Sequence, residues 1–123
     1  MGSCADVLAE VDKLEKVQKE LAAVSSRTDE ARARDLIRLR RELSQQIGRV
    51  GQVAEAYFEA QGDFALTQQY RTRFSAMRSR AATHQANWPA VRLDQADETY
   101  QQSARDVREA NRAFVGWMRQ VLR

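Results

Sequence analysis

The sequence holds one cysteine, one histidine, one proline and five glycines in 123 residues. Each scarcity excludes something. A lone Cys4 leaves no internal disulfide and no cysteine-built zinc site. A lone His84, without a second imidazole or a cysteine pair, cannot organise a metal. So few turn formers do not suit a sandwich or barrel, which needs a turn about every 8–12 residues. No apolar run approaches the ~18 residues of a membrane span, and no signal peptide is visible, so the expected compartment is the cytoplasm.

Catalytic patterns are missing too. There is no Gly-x-x-x-x-Gly-Lys phosphate loop, no Ser–His–acid order and no Gly-rich loop. Without a Glu-x-x-His pair a di-iron bundle is excluded. The carboxylates sit instead on charged faces among arginines. The expectation is a protein that is not an enzyme and carries no cofactor. The opening "MGSC" falls short of an acylation signal, because Asp6 stands where Ser or Thr is wanted. Met1-Gly2-Ser3 reads as an expression leader.

A repeat is present. Apolar residues recur at alternating spacings of three and four, the signature of helices packed side by side. The first stripe is Cys4, Val7, Val11, Leu14, Gln18, Leu21. The second is Leu36, Leu39, Leu43, Gln46, Val50, Val53, Tyr57. The third is Thr67, Tyr70, Phe74, Met77, Ala81, His84, Trp88. The fourth is Leu93, Ala96, Tyr100, Ser103, Val107, Ala110, Phe114, Trp117, Val121. Gln18 and Gln46 take positions where an apolar residue would be stronger, and a buried polar pair there would fix register.

The breaks carry their own chemistry. Thr28 is expected as an N-cap, with Asp29 and Glu30 in the first turn. Gly62 falls just past a helix end, and Asp63 can cap the next. In "HQANWPAV" Pro89 cannot continue the upstream helix and biases Trp88 away from helical geometry. Asn87 can cap the fourth helix, or that helix can start later, at Asp94. The stretch therefore reads as a corner, with His84 a structural histidine that hydrogen-bonds near the helix end. The sequence predicts one all-α domain over residues 1–123, an antiparallel bundle of about four helices with coiled-coil-like packing. The helices are expected near 5–24, 29–61, 64–87 and 90–122. At 1.5 Å per residue the first is about 20 Å shorter than the second and fourth.

That mismatch predicts an uncovered apolar strip on the second and fourth helices. Its anchors would be Tyr57, Phe58, Phe64, Phe114, Trp117 and Met118, open to a protein partner or a second copy of the chain. Ordinary core burial of all six is the competing reading. Gly48 and Gly51, mid-helix in "IGRVGQ", predict a close approach or a bend, since each costs about 1 kcal/mol against alanine.

Basic residues supply the rival surface. Seventeen of the 20 are arginine, which points to a GC-rich, bacterial genome. The third segment has Arg71, Arg73, Arg78 and Arg80 and no acid between Thr67 and Trp88. On the heptad Arg71 and Arg78 take one flank and Arg73 and Arg80 the other. Those flanks face neighbouring helices, and Glu10, Glu15, Asp97 and Asp106 are the expected ion-pair partners. Together with Arg38 and Arg41 the same arginines could instead contact nucleic acid or an acidic partner. A net charge of +3 gives phosphate binding little support. The arginine-rich start of the second helix also carries Asp35 and Glu42, so it reads as a solvated face rather than a membrane-surface helix.

In length, helix content and helix-pair layout the chain resembles small bacterial helical adaptors, including flagellar and type III export chaperones. The likeness is architectural and implies an adaptor or chaperone-like role. A third reading, histidine phosphotransfer, would use His84.

Overall fold

A computed structural model of the chain describes residues 2–89 and 98–122. Those residues form four helices and no strand: α1 (Cys4–Ser25), α2 (Arg32–Gln61), α3 (Phe64–Asn87) and α4 (Glu98–Val121). Each helix packs on the next and α4 returns to α1, so the four make an up-and-down ring. The all-α antiparallel bundle expected from the repeat is the fold observed. The α1–α2 pairing is the most extensive, and the α2–α3 seam is sparser.

The helix ends follow local chemistry. Ser3 caps α1 in a capping box: its hydroxyl accepts from the Asp6 N–H, and the Asp6 carboxylate accepts from the Ser3 N–H. Those hydrogen bonds hold the Asp6 carboxyl below its usual range. Gly62 closes α2 in the left-handed region at φ 73°, where glycine has no steric penalty. Asp63 caps α3 by accepting from the Leu66 N–H at 3.0 Å. Trp88, at φ −128° and ψ 73°, ends α3 just before Pro89.

Other expectations need correction. Thr28 does not cap α2, which starts at Arg32 with no side-chain cap. The Asp29 side chain instead accepts from the Ala31 N–H and is gripped by Arg27, so the preceding residues form a turn. The fourth helix is described from Glu98. The starts proposed at residue 90 and at Asp94 lie outside the described residues, as do Leu93, Ala96 and Asp97. The length mismatch holds against α2, whose 30 residues exceed the 22 of α1; against the fourth helix it turns on residues outside the described ones.

Most of the core is one cluster. Val7, Val11 and Leu14 of α1 meet Leu43, Ile47, Val50, Ala54 and Phe58 of α2, Tyr70, Met77 and Ala81 of α3, and Phe114, Val115 and Met118 of α4, with Leu122 just past its end. Aromatic rings fill the end where α2 turns into α3. Phe58 stacks on Tyr70 at 4.9 Å, and Phe74 meets Phe114 edge-on at 5.8 Å. A smaller cluster of Val24, Leu36 and Leu39 lies at the opposite end. The two stripe glutamines are buried but do not pair with each other. Gln18 reaches the Met77 sulfur at 3.6 Å, and Gln46 donates to both the backbone carbonyl and the carboxylate of Glu10.

The two mid-helix glycines differ. A Cβ on Gly51 would come within 2.9 Å of the Phe74 ring, so this glycine lets α3 close onto α2. A Cβ on Gly48 would meet nothing within 4 Å. Gly48→Ala is therefore predicted to stabilise the protein by roughly 0.5–1 kcal/mol through helix propensity alone. Gly51→Ala should gain less or lose stability, because Phe74 must move. Urea denaturation of both variants checks this; equal gains would mean that Phe74 does not need the space.

Candidate functional site

The six expected anchors do not form an open strip. Phe58, Phe114 and Met118 are at most 2% exposed and Trp117 is 9% exposed, all inside the main cluster. Tyr57 is half-buried against that cluster, and Phe64 stands 77% exposed at the start of α3. The reason is the direction of α1. Cys4 lies beside Tyr57, and its thiol donates to the Leu122 carbonyl, so α1 begins at the aromatic end and covers it. The shortfall of α1 lies elsewhere.

A wide opening lies on the other side of α2. A groove of about 820 Å³ runs along the α2–α3 seam. Its α2 wall is Ser44, Ile47, Gly48, Gly51 and Glu55; its α3 wall includes Tyr70, Phe74, Ala81 and Ala82. The α2 wall advances by three and four residues, a single helical face about 16 Å long. At the lower end Phe74 fills the seam over Gly51. Above it Ser44, Gly48, Ser75, Ala81 and Ala82 are small, so the helices leave space that their own side chains do not occupy. Sequence reasoning noted Gly48 and Gly51 but could not tell which would be filled.

Arginines edge this groove. Arg71 pairs with Glu55 and, at 3.1 Å, with Glu59 of α2. Arg78 lies 5.7 Å from the centre of the Phe74 ring, and Arg73 lies 5.1 Å over Trp117. Arg41, Arg73, Arg78 and Arg80 are exposed, and none of them meets a carboxylate among the described residues. The expected acid partners are engaged elsewhere. Glu10 holds Lys13 and Gln46, Glu15 holds Arg119 and Lys19, and Asp106 accepts from Gln102. Asp97 lies outside the described residues. Glu10 and Glu15 are on α1, diagonally across the ring from α3, so pairing with its arginines fails on topology. Arg38 does pair along its helix, with Glu42 at 3.3 Å.

The corner residue His84 sits at the other end of α3, half-buried. Its Nδ1 is 2.7 Å from the Ser103 hydroxyl, and its ring stacks on Tyr100 at 5.5 Å. The Tyr100 ring also meets Trp88 edge-on at 5.5 Å. Burial, then the nearby Arg40 and Arg108, push the imidazole down to about 4. His84 is thus a neutral hydrogen-bonding partner near pH 7, tying α3 to α4. Among the described residues no cluster of His, Cys, Asp and Glu could hold a metal, and no helix is long and apolar enough to cross a membrane.

Compared with known family models, curated proteins and solved structures, the chain matches none.

The His84 environment makes a pH prediction. An imidazole depressed in the folded state stabilises the fold fully above its unfolded value near 6.5. That contribution fades as pH falls toward 4. His84→Gln should flatten the loss of stability between pH 6.5 and 4. Thermal melts of both proteins across that range check it, and identical slopes would show that His84 titrates normally.

Proposed function

We propose that this chain is a non-catalytic protein-interaction module that receives an acidic amphipathic helix of a partner protein in the α2–α3 groove. The observation that carries the reading is the groove itself: an apolar channel along two helices, edged by arginines and left open by small residues. A docking helix of about three turns matches its length, with anchors at i, i+3, i+4 and i+7. Gly48 supports this. Mid-helix glycine is costly, and here no neighbour among the described residues uses the room it leaves.

Charge selects the occupant. Arg78, on the groove wall, has no acid of its own among the described residues, so a partner with Glu and Asp flanking its apolar face would complete it. A second copy docked symmetrically through this groove would bring arginine-rich faces together, which disfavours self-association here. Nucleic acid is the weaker occupant, because the walls are predominantly apolar and a phosphate backbone would use only the edge.

A panel of amphipathic helical peptides with one apolar face and charges from negative to positive tests the reading. Affinity, read by fluorescence anisotropy, should rise with negative charge. Gly48→Leu should fill the groove and abolish binding while leaving the melting temperature intact. Arg78→Glu should weaken the acidic peptide by roughly tenfold. Peptide binding indifferent to Gly48→Leu would contradict the site. Tight duplex DNA binding that collapses between low and moderate salt would favour the nucleic-acid reading.

A further inference from the structure

A second cavity lies inside the bundle at the His84 end, separate from the groove. It measures about 60 Å³, and its walls come from all four helices: Gln18 and Ser25, Arg40, His84, and Tyr100, Arg108 and Asn111 among them. Such a volume holds roughly four waters or one tetrahedral oxyanion, and it is too small for a nucleotide.

Among the described residues the charges around this space do not balance. Arg32 is only 7% exposed. Its Nη2 donates to the Ser25 carbonyl at 2.7 Å and the Tyr100 hydroxyl at 3.3 Å, two groups of the cavity wall. Its Nε is buried with no hydrogen-bond partner. Arg40 donates to the Trp88 carbonyl at 2.7 Å, and Arg108 borders the same cavity. None of these three arginines meets a carboxylate among the described residues. The nearest acid along α2, Asp35, is turned to Arg27 at 2.8 Å.

We propose that this cavity binds a small oxyanion of the phosphate type, held by Arg40 and Arg108 with Arg32 behind them. Guanidinium groups are the side chains best matched to tetrahedral and carboxylate oxygens. The Asn111 amide on the cavity wall supplies a neutral donor. Buried positive charges without a counter-charge are costly, whereas removing a cation from such a group relieves repulsion. Burial is the main cause that lowers both Arg40 and His84; Tyr100 opposes the shift at Arg40 and Arg32 adds to it, while Arg40 and Arg108 add to the shift at His84. The chemistry is shared by free phosphate and by a phosphate or carboxylate group on a larger molecule.

Arg108 makes the cleanest test, since no hydrogen bond or ion pair holds it among the described residues. In phosphate-free buffer Arg108→Met should melt at or above the wild-type temperature. Inorganic phosphate should raise the wild-type melting temperature by roughly 10 °C at a concentration a hundredfold above its dissociation constant. Sodium chloride at matched ionic strength should not. Arg108→Met and Arg40→Met should lose the phosphate-specific rise. The His84 imidazole, followed by NMR, should titrate at higher pH with phosphate than without. A phospho-group on a larger molecule would be revealed by phosphoserine or phenyl phosphate competing with inorganic phosphate. An equal phosphate response in wild type and both variants would overturn the proposal, as would Arg108→Met destabilising a protein that ignores phosphate. Loss of stability in Asp94→Asn/Asp97→Asn together with no phosphate response in the wild type would also overturn it, by assigning the counter-charge to the chain itself.

Discussion

The bundle depends on how bulk is distributed along the α2–α3 seam. Phe58, Tyr70, Phe74 and Phe114 crowd one end, with Trp117 beside them, and set the distance between the helices there. Gly51 allows Phe74 to fit within that distance. Farther along, Ser44, Gly48, Ala81 and Ala82 are too small to fill the same spacing, and a groove results. Close packing at the aromatic end makes the contrast along the seam plain, because protein interiors are normally well filled.

Polar groups divide the molecule in a complementary way. The aromatic end is tied at its surface by ion pairs that bridge helices, such as Arg119 to Asp12 and Glu15 and Arg71 to Glu55. Exposed pairs of this kind contribute little stability each. They do fix which helix neighbours which. At the His84 end the surface pairs stay local to the α1–α2 turn and α2, Arg27 with Asp29 and Asp35 and Arg38 with Glu42, while α3 is tied to α4 by a neutral hydrogen bond and ring contacts beside arginines that lack acids among the described residues. One end is therefore a well-filled core with its charges balanced at the surface, and the other an unevenly charged interior.

The fold was legible in the sequence because four stripes kept one spacing and the turn formers fell between them. Asp63, Gly62 and Pro89 acted as their local chemistry predicts. The site was less legible. Stripe position marks a residue as inward-facing, but a partner surface and a core use the same residue types, so Phe58, Phe114 and Met118 could not be assigned from spacing. Helix length misled as well: a short α1 says nothing about which end it covers, and its start beside Leu122 decides that. Arg32 and Arg40 looked like members of a solvated face, and only the packing of α1 and α4 over them shows their burial. The one usable signal for the groove was Gly48, a costly residue without a turn to justify it.

The central claim is that the α2–α3 seam is open while the aromatic end is closed core. Thiol labelling measures this directly in a background where Cys4 is replaced by serine. A cysteine placed at Gly48 should react with a maleimide at close to the rate of an unfolded thiol. One placed at Ala54, fully buried in α2, should react only through opening of the fold, slower by orders of magnitude. Equal protection at the two positions, in dilute protein with no partner present, would contradict an open seam.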